Sequence, residues 1–246
     1  MTAIVGEGLT VVRGEVTLID GLSLSLGPTG SVAIIGPNGA GKSTLVKMLA
    51  GIELPTEGHV RVAGQDLKTL STRARAEMIG YVPQHFEPHW DLSVAELVQL
   101  GAGRAQAPQK NAVAAIFAEY ELSTLQHRRW STLSGGERAR VLLAMVLVVD
   151  PPALLADEPA ASLDIRHRID VIKVLVRRSK DRLSVVVMHD LDLAFRYFDR
   201  VIVIDRGSIV ADAASSDLIY DKRLDTTFGV AFERMATPYG PLLRAT

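Results

Sequence analysis

Short apolar runs recur along most of the chain, and their spacing predicts a sheet covered by helices. Each run has the length of a buried strand and is bounded by glycine, proline or charged residues. Amphipathic stretches of helical period lie between the runs, and this alternation is typical of an α/β fold. Two further apolar runs around a turn at residues 205–208 predict a hairpin at the sheet edge. The four predicted buried strands are residues 32–35, 79–82, 153–156 and 184–188.

The beginning of the chain has a different pattern, which predicts a small antiparallel sheet. Its apolar residues form short β runs or alternate with polar residues, as in strands with one exposed face. Turn residues such as glycine separate the runs. The predicted strands of this sheet are residues 9–12, 16–19 and 22–26; a further short segment, residues 59–62, follows a turn at residues 55–58.

The central part of the chain contains helical patterns and no strand pattern. Ser93 and Glu96 fit a capping box at a helix start, and residues 109–122 form a second amphipathic run. Residues 101–109, rich in glycine and polar side chains, are expected to link these helices. We therefore predict a helical subdomain inserted into the core. The predicted division is residues 85–149 for the helical subdomain and residues 1–84 with 150–246 for the core.

Composition excludes several classes of protein. The chain has 246 residues, of which 48% are hydrophobic, enough for a substantial core. The net charge of −1 provides no overall attraction to nucleic acid, so no nucleic-acid partner is expected. The absence of cysteine excludes disulfides and thiolate sites. Residues 1–8 lack the pattern of a secretory signal, and the longest apolar run, residues 141–149, is far below the about 20 residues that cross a bilayer. Membrane association is expected only through a partner.

A nine-residue loop between the first buried strand and a helix predicts phosphate binding. Its three glycines permit positive φ and allow backbone N–H groups to approach anionic oxygens. Lys42 adds a positive charge, Ser43 supplies the hydroxyl that such loops place on Mg²⁺, and the helix start presents its positive dipole end. The alternative is an ordinary glycine-rich turn; the order of strand, loop and helix favours a nucleoside triphosphate. The loop consists of Gly36, Pro37, Asn38, Gly39, Ala40, Gly41, Lys42, Ser43 and Thr44.

Polar residues follow the other three predicted buried strands. Gln84 comes after the second, Asp157 and Glu158 after the third, and His189 after the fourth. Ligands of open α/β sheets collect at the carboxyl ends of strands. The alternatives are a loop amide, a solvated acidic pair and a structural histidine. In a chain with a phosphate loop, Asp157 and Glu158 instead predict a site of triphosphate hydrolysis, whereas both interpretations of Gln84 and His189 stay open at this point.

A second helix start with bare N–H groups is predicted at residues 133–137. Ser134 and Glu137 fit a capping box. Gly135 and Gly136 are not needed for a cap, and they leave N–H groups exposed for an anion. A helix cap alone is the alternative. Because this start has no nucleotide loop of its own, it indicates a site that a second molecule completes.

Together these motifs resemble those of one family, the nucleotide-binding subunit of ATP-binding cassette (ABC) transporters. The resemblance covers nearly the whole chain. It implies a RecA-like P-loop NTPase core with an N-terminal antiparallel β subdomain and an inserted α-helical subdomain, the ABC ATPase fold. Residues 36–44 resemble the Walker A loop, Gln84 the Q-loop glutamine, residues 133–137 the signature motif, residues 153–158 the Walker B strand, residues 162–164, ending in Asp164, the D-loop, and His189 the switch histidine.

The resemblance implies an ATPase that uses ATP and Mg²⁺. Phosphoryl transfer requires positioning and charge neutralisation, which fits Lys42 on the phosphates. Glu158 is expected to act as the general base towards water, and His189 to hydrogen-bond the γ-phosphate. The signature residues and Asp164 are expected at the nucleotide of a second copy, in a head-to-tail homodimer. The implied metal ligands are Ser43, Gln84 and Asp157.

The resemblance also implies a place in a transporter. We expect a peripheral subunit on the cytoplasmic face of the inner (plasma) membrane, bound to transmembrane permease subunits and indirectly served by a substrate-binding protein. Residues 81–85 and 155–159 look like those of bacterial importers of iron chelates, haem or cobalamin. Zinc or manganese importers have similar cassettes and remain an alternative. Soluble ABC proteins that act on DNA or ribosomes usually carry two cassettes or a long coiled-coil insert, and a scaffold without turnover would not need Glu158.

One position departs from the family pattern. Family members usually place an aromatic residue near positions 12 to 14 to stack on adenine, whereas residues 12–14 here are Val-Arg-Gly. We predict that the planar guanidinium of Arg13 stacks on the base instead.

Overall fold

A six-stranded sheet, parallel except at one edge, forms the centre of the molecule. The computed structural model describes residues 3–105, 111–161, 163–237 and 240–246. Adjacent strands are parallel throughout, apart from the edge strand β10, which is antiparallel to β9. In spatial order the strands are β10 (Ser208–Ala214), β9 (Arg200–Asp205), β3 (Gly30–Ile35), β8 (Leu183–Val187), β7 (Ala153–Asp157) and β6 (Ile79–Val82).

The central strands are apolar because both faces of the sheet are covered. Every residue of β7 and β8 is buried, and in β3 only Gly30 is partly exposed. Such strands show continuous apolar runs without alternation, which is why the sequence reveals them. The four predicted buried strands and the edge hairpin are confirmed.

The N-terminal antiparallel sheet is also confirmed, with longer strands than the sequence predicts. The predicted strands at residues 16–19 and 22–26 form one continuous strand. Gly21 lies within it with a φ of 58°, which is an irregularity of the strand and not a turn between two strands. Register shifts in the pairing absorb the irregularity, as in β-bulges. In spatial order the strands are β2 (Val16–Leu26), β1 (Ile4–Arg13), β4 (Glu57–Val62) and β5 (Gln65–Asp66).

Helices pack against the central sheet, and a C-terminal hairpin follows the last of them. The hairpin pairs β11 (Phe232–Thr237) with β12 (Gly240–Ala245). No helix of the described residues has the length and apolar character needed to cross a bilayer. The α-helices are α1 (Lys42–Leu49), α2 (Thr72–Met78), α3 (Val94–Ala102), α4 (Ala112–Glu119), α5 (Gly135–Leu147), α6 (Ile165–Arg178), α7 (Leu191–Tyr197), α8 (Ser215–Leu218) and α9 (Arg223–Phe228).

Between β6 and β7 the chain forms α3, α4 and α5. The capping box of Ser93 and Glu96 starts α3 as expected. The prediction that residues 101–109 form a link is wrong at its start, because α3 continues through Gly101. A Cβ at Gly101 would lie 2.1 Å from the backbone oxygen of Met145, so the glycine lets α3 and α5 pack closely. Residues 106–110 lie outside the described part of the chain, and the exact subdomain limits stay a prediction.

Candidate functional site

The loop after β3 requires glycine at two positions. Gly36 has a φ of 151°, and a Cβ there would lie 1.9 Å from the carbonyl oxygen of Ile204 in β9. Gly41 has a φ of 100°, and a Cβ there would lie 2.6 Å from the side chain of Ile19 in β2. The loop is therefore fixed between the two sheets, directly before α1.

Lys42 is folded back onto this loop. Its Nζ donates to the carbonyl oxygens of Gly36 and Pro37, both at 2.8 Å. Burial lowers the pKa of Lys42, whereas the charges of Glu158 and Asp157 raise it. The ammonium is thus held at the loop by carbonyls that phosphate oxygens can replace.

Ser43 and Asp157 form a pair of oxygen donors beside the loop. The hydroxyl of Ser43 donates to Oδ1 of Asp157 at 2.8 Å, and Asp157 is only 1% exposed. Burial raises the pKa of Asp157, and the hydrogen bond from Ser43 opposes that shift. Hydroxyl and carboxylate oxygens suit Mg²⁺, which usually keeps water and phosphate oxygens as its other ligands. The described residues contain no cluster of three or more His, Cys, Asp or Glu that could hold a metal.

Glu158 lies at the end of β7 between two polar side chains. Nε2 of Gln84 donates to its Oε2 at 2.7 Å, and Nε2 of His189 lies 2.5 Å from its Oε1. A carboxylate only accepts hydrogen bonds, so Nε2 of His189 carries a proton in this contact. The side chain of Glu158 is 8% exposed and that of His189 48%. The backbone of Glu158 is left-handed, with a φ of 50°.

The strand order explains why these residues meet. Gln84, Glu158 and His189 follow β6, β7 and β8, and the phosphate loop follows β3, which is the next strand. Carboxyl ends of parallel strands share one edge of the sheet. They surround a cleft of about 500 Å³. Its lining consists of Arg13, Leu18, residues 38–44, Gln84, Glu158 and His189.

Arg13 lies at this cleft, as its predicted role requires. Its guanidinium forms an ion pair with Glu53 at 2.5 Å, although the Arg13 side chain is 59% exposed. Contact with a base is not tested by this geometry, and the stacking stays a prediction.

The signature residues do not line the cleft. Ser134 and Glu137 form the expected capping box, with Oε2 of Glu137 accepting from the Ser134 N–H at 2.7 Å. Asp164 caps α6 by accepting from the N–H of His167 at 2.9 Å. Ser162 lies outside the described residues. The signature loop, formed by residues 134–137, and Asp164 are thus not among the residues that line the cleft of their own chain.

Sequence reasoning missed one residue near the site. Tyr81 in β6 lies beside Asp157, and burial and that charge raise the pKa of Tyr81. A tyrosine within an apolar strand looks like an ordinary core residue. No signal in the sequence separated it from the core.

A comparison with known families assigns the chain. The sequence profile described as ABC transporter matches residues 19–161. The chain belongs to the ABC transporter family. Membership confirms the predicted resemblance, and with the architecture above it confirms the ABC ATPase fold. This ABC protein is therefore an ATP-binding ATPase.

Individual relatives and structures are similar to this ABC protein. It is 40% identical over 224 residues to the hemin import ATP-binding protein HmuV of Nitrobacter winogradskyi, covering 87% of this chain and 83% of the relative. It is 38% identical over 209 residues to the cobalamin import ATP-binding protein BtuD of Halobacterium salinarum, covering 82% of this chain and 52% of that relative. A dimeric ATP-binding cassette solved with ADP and Pi superposes with a TM-score of 0.78 at 26% identity, covering 86% of this chain and 98% of that one.

Proposed function

We propose that this chain is the ATP-hydrolysing subunit of a membrane ABC importer that takes up haem or a related iron chelate or cobalamin. The contact of Glu158 with Gln84 and His189 at the edge of the phosphate cleft carries the hydrolytic part of this proposal. The names of the similar hemin and cobalamin import proteins support the transport part.

The cleft residues would divide the work of phosphoryl transfer. The loop and Lys42 bind the β- and γ-phosphates, with Lys42 exchanging its carbonyl partners for phosphate oxygens. Ser43 and Asp157, assisted by Gln84, would hold Mg²⁺, which supplies charge neutralisation when bound. The planar guanidinium of Arg13 stacks on the base.

Glu158 then accepts the proton of the attacking water. In the structure each of its oxygens has one partner, and each keeps a further lone pair with which it can accept a proton from water. The half-exposed ring of His189 can move its Nε2–H from Glu158 to a γ-phosphate oxygen. Binding of the triphosphate would thereby leave Oε1 of the general base with more room for the attacking water.

A second copy of the chain would complete each site. The signature loop and Asp164 lie outside the cleft of their own chain, which supports a head-to-tail homodimer in which each signature loop covers the other copy's ATP. The similar cassette with ADP and Pi is itself dimeric. We place the dimer on the cytoplasmic face of the inner membrane, bound to permease subunits. A substrate-binding protein would deliver the solute to these permease subunits.

Uptake in a deletion strain tests the function and the cargo together. Wild type should restore uptake of radiolabelled hemin, and the Glu158→Gln variant at equal expression should not. Restoration of cobalamin uptake alone would change the cargo, and restoration of zinc or manganese uptake would assign the chain to that class of importer. Full uptake of hemin and cobalamin without the gene, with phosphate release stimulated by DNA or ribosomes, would favour a soluble ABC ATPase.

A further inference from the structure

The first turn of α6 contacts the signature loop through one imidazole ring. A Cβ at Gly136 would lie 2.7 Å from Cδ2 and 2.9 Å from Cγ of His167. Gly136 is buried in the first turn of α5, and its helical backbone does not by itself require glycine. The ring of His167 is therefore what leaves no room for a side chain at Gly136.

The orientation of this ring is fixed by Asp164. Nδ1 of His167 lies 2.9 Å from Oδ1 and 2.8 Å from Oδ2 of Asp164. Oδ1 of Asp164 also accepts the backbone N–H of His167 at 2.9 Å as the cap of α6. Because a carboxylate only accepts, Nδ1 carries the proton. The cap of one helix thus holds a ring against the start of another.

The same turn is also connected to the hydrolytic side of the molecule. Arg168 donates to the carbonyl oxygen of Leu163 at 3.1 Å. Its other nitrogen lies 3.7 Å from Oδ2 of Asp190, the residue directly after His189. The first turn of α6 therefore contacts both the signature loop and the segment that follows the switch histidine.

We propose that His167 is a positioning residue for the signature loop. Its ring, held by Asp164, fixes the distance between the first turns of α6 and α5 and so the direction in which the N–H groups of Gly135 and Gly136 point. The effect on catalysis rests on the proposed dimer, in which these N–H groups meet the nucleotide of the other copy. The placement of the loop is a property of the single chain.

Amide hydrogen exchange of the nucleotide-free chain tests the placement without requiring a dimer. The N–H groups of Glu137 and Arg138 donate to Ser134 in the first turn of α5. Removing a contact of this kind by His167→Ala should raise their exchange rates about fivefold. Arg166→Ala, an exposed change in the same turn of α6, is the matched control and should leave them unchanged. Unchanged rates in His167→Ala would overturn the proposal.

A double-mutant cycle tests the contact with catalysis as the measurement. Gly136→Ala should lower kcat/KM about tenfold in the wild-type background, because the new methyl group displaces the imidazole. With His167→Ala already present, the same change should cost less than about twofold. An equal loss in both backgrounds would show that the methyl group obstructs the nucleotide directly, and the proposal would be wrong.

The tautomer provides a spectroscopic readout. The ¹⁵N NMR shifts of His167 should show a proton on Nδ1, and Asp164→Ala should shift this signal and raise the exchange of Glu137 as His167→Ala does. A ring protonated only on Nε2 would contradict the proposed orientation. If wild type hydrolysed no ATP while the exchange results held, the proposed function would fail and the positioning role would stand.

Discussion

Nε2 of His189 lies 2.5 Å from Oε1 of Glu158, and Gln84 donates to the other oxygen of the same carboxylate. Both oxygens of the proposed general base therefore have a partner in this arrangement. Each oxygen keeps a further lone pair, so the carboxylate can accept a proton from water beside these contacts. The contact between Glu158 and His189 determines what the first two substitutions should do.

Glu158→Gln should bind ATP and nearly stop turnover. The amide keeps the size of the side chain but cannot accept a proton, and general-base catalysis contributes about 10²- to 10⁴-fold. We expect phosphate release to fall by about 10²-fold or more and dimers to accumulate with ATP in gel filtration. Glu119→Gln, on the surface of α4, is the control. Full turnover by Glu158→Gln would refute the assignment of the base.

His189→Ala should lower the preference of the protein for ATP over ADP. Wild-type His189 is expected to donate to the γ-phosphate, which only ATP has, and a hydrogen bond to a charged group contributes about 1.5–3 kcal/mol. Equilibrium binding should show the ATP-to-ADP affinity ratio falling about tenfold or more. His127→Ala, an exposed histidine outside the cleft, should leave the ratio unchanged. An unchanged ratio in His189→Ala would remove the γ-phosphate contact from the mechanism.

Ser43→Ala should raise the concentration of Mg²⁺ needed for half-maximal turnover. The substitution removes the hydroxyl that pairs with Asp157 at 2.8 Å and leaves Asp157, assisted by Gln84, to hold the metal. Removal of an outer-shell partner costs about 10- to 100-fold in metal affinity, and we expect at least this loss for a direct ligand. Titration of phosphate release with MgCl₂ measures it, with Ser216→Ala as the control. Excess EDTA should stop wild-type turnover, and equal Mg²⁺ curves for both proteins would exclude Ser43 as a ligand.

Arg13→Ala should raise KM for ATP while kcat changes little. Stacking of a planar group on a base contributes about 1–3 kcal/mol, so a rise of about fivefold or more is expected. Arg13→Lys keeps the charge without the plane and should resemble Arg13→Ala. A KM for ATP unaffected by Arg13→Ala would reject the stacking.

Asp225→Asn should flatten the acid side of the stability curve. The side chain of Arg234 and the N–H of Phe232 lower the pKa of Asp225 below its ordinary value. A lowered pKa stabilises the folded chain above the unfolded pKa of about 3.9, and this contribution is lost as pH falls through the folded value. Thermal melts between pH 2 and pH 7 should therefore show a smaller decrease at low pH for Asp225→Asn than for wild type. Asp217→Asn is the control, and parallel curves for wild type and Asp225→Asn would contradict the linkage.

The sequence predicts most of the buried strands because their signal is local. β6 (Ile79–Val82) has the predicted limits, since it follows from its own apolar run. The continuation of α3 through Gly101 depends on the backbone of Met145, 44 positions later in the chain, which no local pattern reports. The sequence predicts no element at the C-terminal hairpin of β11 and β12.

The sequence predicted which residues belong to the site, but it did not predict which of them contact each other. The motifs name Gln84, Glu158 and His189, but their meeting depends on the order of β6, β7 and β8 in the sheet. Apolar periodicity finds strands and does not order them. The left-handed backbone of Glu158 and the position of Tyr81 beside Asp157 are likewise tertiary features.

Because four parallel strands end at the same edge, the length of each strand determines where the functional residue that follows it lies in the cleft. One residue inserted into β7 would push Glu158 outward by about 3.3 Å and turn its side chain to the opposite face of the sheet. A substitution in such a strand alters the packing of the core, whereas an insertion or deletion separates the carboxylate of Glu158 from its neighbours. We therefore expect these strands to tolerate the exchange of one apolar side chain for another, and insertions to be tolerated only in the loops.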